Sequence, residues 1–169
     1  MVRGGVKELV LIAQDLTYYG LDQTGQRELA HLLDRLSAES GAEWIRLQYA
    51  YPGQFPLEIL PLIRERANIC LYLDMPLQHA SDSVLKRMRR GISARQTRKL
   101  LEEIRQTVPG IHLRSTMMVG FPGETEAEFQ ELVDFVKEMR LERMGVFKYS
   151  HEENTSAYLL EDDEAEECK

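Results

Sequence analysis

Cysteine is nearly missing from this chain, which holds only Cys70 and Cys168, far apart in sequence. That scarcity excludes a disulfide-stapled scaffold, and the spacing makes no metal-binding signature. Cys70, beside an apolar run, reads as a small buried hydrophobe, and Cys168, among acids, as a free exposed thiol. No stretch approaches the roughly 20 apolar residues that span a bilayer, and no charged-then-apolar leader opens the chain. The expectation is a cytoplasmic protein with no membrane partner. An excess of basic charge is missing as well. The formal net charge is −7, but the last ten residues, Leu160 to Lys169, hold six acids and one base, which leaves 22 acids against 20 bases in residues 1–159. The body is near neutral and carries no basic footprint for nucleic acid. The expected organisation is one compact unit over 1–159 followed by a disordered acidic tail over 160–169. HExxH, GxSxG and Walker motifs are absent, and no second carboxylate completes a dyad, so hydrolytic chemistry finds no support.

What is present is an alternation of short apolar runs with longer segments of helical period. The runs are Leu9 to Ala13, Trp44 to Tyr49, Ile69 to Leu73, Ile111 to Val119 and Met144 to Tyr149. Several are apolar without strict alternation, as strands covered on both faces tend to be. Between them, Leu29, Leu32, Leu33 and Leu36 form one helical stripe, and Ile59, Leu60 and Ile63 a shorter one with Pro56 suited to its first turn. Val84, Leu85 and Met88 follow the capping residues Ser81 and Asp82, and Gly91 breaks that helix. Ser93 with Gln96, and Thr125 with Glu128, fit capping boxes that open two longer helices. The order β-α-β-α-β-α-α-β-α-β means an α/β protein of parallel strands joined by right-handed crossovers. An open doubly wound sheet and a partial (β/α) barrel both fit this order. No glycine-rich phosphate turn follows the first strand, which weighs against a nucleotide-binding open sheet.

In either architecture function gathers at the carboxyl ends of the strands. Those ends carry Gln14 and Asp15, Gln48 to Pro52, Asp74 to His79, Gly120 to Glu124, and Tyr149 to Glu153. Asp15 could simply start a turn, and His79, with no second ligand, reads first as a buried histidine bonded to backbone. Arg114 lies inside an apolar strand and therefore needs an acidic partner or an anionic ligand. The Gly120-Phe121-Pro122-Gly123-Glu124-Thr125 turn fixes a tight bend where backbone can approach a flat ligand.

Six ordered stretches carry a resemblance to a known family. They are Leu11 to Gly20, Tyr49 to Pro52, Tyr72 to Asp82, Met88 to Gly91, Val119 to Thr125 and Val146 to Thr155. Together they resemble RimO-type radical S-adenosylmethionine (SAM) methylthiotransferases from about Gly4 to Asp163. The resemblance implies a partial (β/α) barrel of the radical SAM type, SAM and 4Fe-4S clusters as cofactors, and an aspartate of a small-subunit ribosomal protein as substrate. It also implies that the first strand, the C-x3-C-x2-C loop after it, an N-terminal auxiliary-cluster domain and a C-terminal TRAM domain are missing from these 169 residues. The chain would then be a fragment inactive alone, with no metal ligand and no catalytic residue of its own. By position in the motifs, Gln14 and Asp15 would face the cluster and substrate. Gln78 would lie by the methionine or ribose part of SAM, Arg114 would neutralise its carboxylate, and Gly120, Phe121 and Pro122 would flank its adenine with Phe147 and Lys148. Tyr51 and His79 would line the substrate cavity. A tRNA-modifying MiaB-like enzyme and a non-enzymatic remnant with a SAM-shaped cavity are the alternatives.

Overall fold

The computed structural model describes residues 2–160, so the expected tail from 161 onward, with Cys168, lies outside the described residues. Five strands, β1 (Glu8–Ile12), β2 (Trp44–Gln48), β3 (Ile69–Asp74), β4 (His112–Val119) and β5 (Arg143–Lys148), form one sheet in the order β1-β2-β3-β4-β5. Every pairing is parallel. Consecutive parallel neighbours need a crossover each time, and the right-handed rule puts all the crossovers on one face. The helices are α1 (Leu21–Thr24), α2 (Leu29–Glu39), α3 (Ile59–Glu65), α4 (Asp82–Arg87), α5 (Ala94–Thr107) and α6 (Glu126–Met139).

Alternation along the strands separates the two faces. Ile45, Leu47, Leu73, Leu113 and Met117 are buried in one core with Leu29 and Leu33 of α2, Ile59 and Ile63 of α3, Leu101 and Ile104 of α5, and Phe135 of α6. Residues of the opposite parity face away from the helices, and there Val10, Ile12, Trp44 and Phe147 are exposed. β1 and β5 do not pair with each other, so the sheet is an open arc and the arrangement is a partial barrel. Strand stagger follows the same pattern. Asp74 at the end of β3 lies opposite Arg114, only two residues into β4. An isolated bridge then joins Gln78 to Met117, so four residues on one side span three on the other and the chain bulges at Met75–Gln78. Pro76, which has no N–H to give a ladder, sits inside that bulge.

The five strands fall within a residue or so of the apolar runs, and both capping boxes are formed. Some local expectations are corrected. α3 begins at Ile59, and Pro56 stands before it, its carbonyl receiving the Ile59 N–H at 3.1 Å. Ser81 occupies the N-cap of α4 without capping it through its side chain; its hydroxyl meets Ser83 at 3.1 Å instead. Asp82 turns forward and accepts from Ala94 N at 2.6 Å, which supports the start of α5. α4 ends at Arg87, ahead of Gly91, and Arg89 at φ 56 reverses the chain.

Candidate functional site

The loop after β1 is held by Asp15, whose Oδ1 accepts from Thr17 N at 2.8 Å and Thr17 Oγ1 at 2.7 Å. Tyr51 N, from the loop after β2, reaches the same oxygen at 3.4 Å. Gln14 is exposed beside it. Tyr51 in turn accepts from Gly91 N at 3.1 Å through its hydroxyl, and the Arg90 guanidinium lies 4.8 Å above its ring. A Cβ on Gly53 would come within 2.5 Å of Tyr51 Cε1, so the close turn beneath that ring requires glycine. Arg90 Nη2 donates to Pro76 O at 2.7 Å. Four of the six quoted stretches therefore meet on one rim.

The bulge after β3 forces Gln78 into the left-handed region at φ 73, where its N–H donates to Thr116 O and its carbonyl accepts from Met118 N. A non-glycine residue held there costs roughly 1–3 kcal/mol, which tertiary contacts must offset. His79 supplies one such contact. It is buried, and its Nδ1 accepts from Ser81 N at 3.0 Å, which assigns the ring proton to Nε2. Nε2 then donates to Glu124 Oε1 at 3.0 Å, while Glu124 Oε2 accepts from Phe121 N at 3.1 Å. Gly120 and Gly123 take φ 69 and 71, which lets the turn fold back onto its own carboxylate. The pair thus ties the β3 bulge to the Gly120–Glu124 turn. It also encloses His79, which is 1% exposed.

Arg114 finds the acidic partner that its position demands. Its Nη1 lies 2.9 Å from Oδ1 of Asp74, which is fully buried. Asp74 Oδ2 has no hydrogen-bond partner. On the same face Arg46 pairs with Glu8 at 2.6 Å and covers the Tyr72 ring at 4.9 Å. Burial pushes the Tyr72 hydroxyl up, with the charge of Asp74 adding and Arg114 opposing. Burial likewise pushes the Cys70 thiol up, although Arg46 opposes it.

A cavity of about 400 Å³ opens at the carboxyl ends of β3, β4 and β5. Of the residues expected at a site, Gln78, Phe121 and Lys148 line it. Phe121 is anchored there by an edge contact with Tyr149, ring centroids 5.2 Å apart. Gly120 and Pro122 flank Phe121 in the turn, and Phe147 is exposed on the open face. Gln14, Asp15, Tyr51, His79 and Arg114 do not line this cavity. Sequence reasoning missed Met88, Arg90 and Met118, which do. The available signal was the Met88-Arg89-Arg90-Gly91 stretch, which carries part of the resemblance without pointing to a role for any of its residues.

Residues 2–136 match the family described as the Radical SAM superfamily. The chain is 56% identical over all 169 residues to "Ribosomal protein uS12 methylthiotransferase RimO" of Flavobacterium johnsoniae, covering 39% of that protein. It is 61% identical over 165 residues, 98% of the chain, to the protein of the same name from Chloroherpeton thalassium, covering 38% of it. The chain thus spans about two-fifths of the length of these curated relatives. Among solved structures, coproporphyrinogen III oxidase (HemN) from Escherichia coli aligns with TM-score 0.66 at 21% identity, over 87% of this chain and 32% of that one. The radical SAM methyltransferase TsrM from Kitasatospora setae aligns with TM-score 0.64 at 18% identity, over 86% of this chain and 28% of that one. At those identities the likeness speaks to the fold alone.

Proposed function

This chain belongs to the Radical SAM superfamily, and we propose that it forms the SAM-binding wall of a RimO-type ribosomal protein methylthiotransferase. The observation that carries the reading is the cavity itself. Gln78 of the β3 bulge, Phe121 of the glycine turn and Lys148 of β5 come from separate parts of the chain, yet they enclose one space at the carboxyl ends of parallel strands. Its volume suits part of a nucleoside ligand, with Phe121 offering an apolar edge and Gln78 a polar one. In this reading Gly120 to Pro122 lie along the adenine and Gln78 by the ribose or methionine. Phe147 and Lys148 close the opposite side. Asp15 and Tyr51 shape the rim, with Gln14 beside them, and His79 positions Gln78 from behind. Arg114, whose charge is already balanced by Asp74, holds β3 to β4 at the level beneath the cavity.

Superfamily membership implies a 4Fe-4S cluster beside SAM, and the described residues do not fit the cluster. Cys70 sits in mid-strand with its thiol pushed up by burial, the opposite of the thiolate that binds iron. The reducing chemistry is assigned to the parts of the longer relatives that this chain does not span. Methylthio transfer and the uS12 substrate come from the names of those relatives, not from a residue of this chain.

A segment exchange tests the reading. The 169 residues replace the matching segment of the Flavobacterium johnsoniae relative, and uS12 from cells carrying the chimera is examined by mass spectrometry. Methylthiolated uS12 is expected. A stable chimera that leaves uS12 unmodified contradicts the reading, and methylthiolated tRNA in its place would favour the MiaB-like alternative.

A further inference from the structure

The near-neutral total of residues 1–159 conceals one local concentration of charge. Residues 83–101 hold seven bases and no acid, which leaves 13 bases against 22 acids in the rest of that span. The seven lie on α4, on α5 and on the loop between them. Three are already engaged: Arg87 with Glu128 at 3.0 Å, Arg98 with Glu138 at 2.9 Å, and Arg90 with Pro76 O at 2.7 Å. The other four, Lys86, Arg89, Arg95 and Lys99, are exposed. Among the described residues none of these four has a carboxylate within ion-pair distance.

This placement works against the helix that carries it. Arg95 stands in the first turn of α5, which contains no acid, although the helix dipole favours acids there. Lys99 follows it at i+4, a like-charge spacing that destabilises a helix. α6 opens on the same kind of capping box but has Glu126 and Glu128 in its first turn. Lys86, Arg89 and Arg90 also line a hollow of about 530 Å³ beside Ser93 and Gln96. The one acid on its wall, Asp82, is spent on Ala94 N at 2.6 Å. No large apolar side chain between Lys86 and Lys99 is exposed. A protein interface core or a membrane-seated helix uses such side chains, whereas phosphates need only charge and hydrogen-bond donors.

We propose that the Lys86–Lys99 ridge docks the phosphate backbone of an RNA. The wide, shallow minor groove of an RNA helix is met through its backbone and shape, without a set of base-reading side chains. The four free cations do not line the cavity that holds Gln78, so the inference does not rest on the reading of that cavity.

The test titrates a fluorescent RNA hairpin with the 169-residue chain at several salt concentrations. Affinity should fall about fiftyfold between about 50 and 200 mM salt, as roughly four phosphate contacts require. Each of Lys86→Gln, Arg89→Gln, Arg95→Gln and Lys99→Gln should reduce the log–log salt slope by about 1. The quadruple variant should bind at least about tenfold more weakly at low salt. Lys137→Gln, exposed on α6, should leave the slope unchanged. Amide shifts of the ¹⁵N-labelled wild-type chain need no variant, and with the hairpin they should centre on residues 86–99. A quadruple variant that loses no more than Lys137→Gln overturns the proposal, as do shifts centred elsewhere or no binding at all. A polyglutamate peptide that binds as tightly as the hairpin overturns it too, and would assign the ridge to an acidic protein.

Discussion

Glu124 serves two buried donors at once, His79 Nε2 and Phe121 N. Glu124→Leu keeps the bulk and leaves both donors without an acceptor, at about 1–3 kcal/mol each. The expected loss is about 3 kcal/mol in urea unfolding, against under about 0.5 kcal/mol for a substitution at the exposed Glu131. A loss below about 1 kcal/mol would mean that the pair does not hold the two loops. At this scale the sequence was only half legible. An arginine in an apolar strand announced its need for a partner, but the partner, the buried Asp74, follows from a parallel register that no local pattern encodes. His79 was readable as a buried, backbone-bonded histidine. Its tie to Glu124 was not, because the two meet only once the β3 bulge and the glycine turn are folded together. Arg90 was hidden for a similar reason: a guanidinium in a run of cations looks solvated until Tyr51 is seen beneath it.

The two long helices α5 and α6 begin where their capping boxes say they should. Ser93 and Thr125 each receive the N3 amide, and Ser93→Ala or Thr125→Ala should cost about 1 kcal/mol in thermal or urea unfolding. The box at α6 carries a further load through Glu128. Burial pushes its carboxyl up, but hydrogen bonds from Ser83, Arg87 and Thr125 outweigh that and hold it down to about 2. A folded pKa below the unfolded value stabilises the fold above the ordinary range near 4.5, and that stability is lost as pH falls towards 2. Unfolding free energy should therefore decline between about pH 4.5 and 2, and Glu128→Gln should flatten part of that slope. An unchanged slope in the variant would assign the acid sensitivity elsewhere. Strands and long helices were legible because their periods run over many residues. α1, four residues between Gly20 and Gly25, was not, since so short a helix has no period to read.

Across the whole molecule, the parallel order of five strands was legible from alternation alone, whereas the choice between an open sheet and a barrel was not. Burial decides it. The helices bury one face of β2, β3 and β4, while Val10, Ile12, Trp44 and Phe147 remain exposed on the other, as the inner wall of an incomplete barrel would be. Two cysteines cannot supply three thiolates to a cluster. Anaerobic iron–sulfide reconstitution of these 169 residues should leave no stoichiometric 4Fe-4S absorption, and a stable cluster would require a different ligand set. The wall itself is the central claim. The most direct measurement is a titration of the ¹⁵N-labelled chain with SAM, followed by amide shifts. The account predicts saturable shifts centred on Gln78, Phe121 and Lys148, with the surfaces of α2 and α3 unmoved. Shifts confined to those helices, or no saturable shift at all, would contradict it.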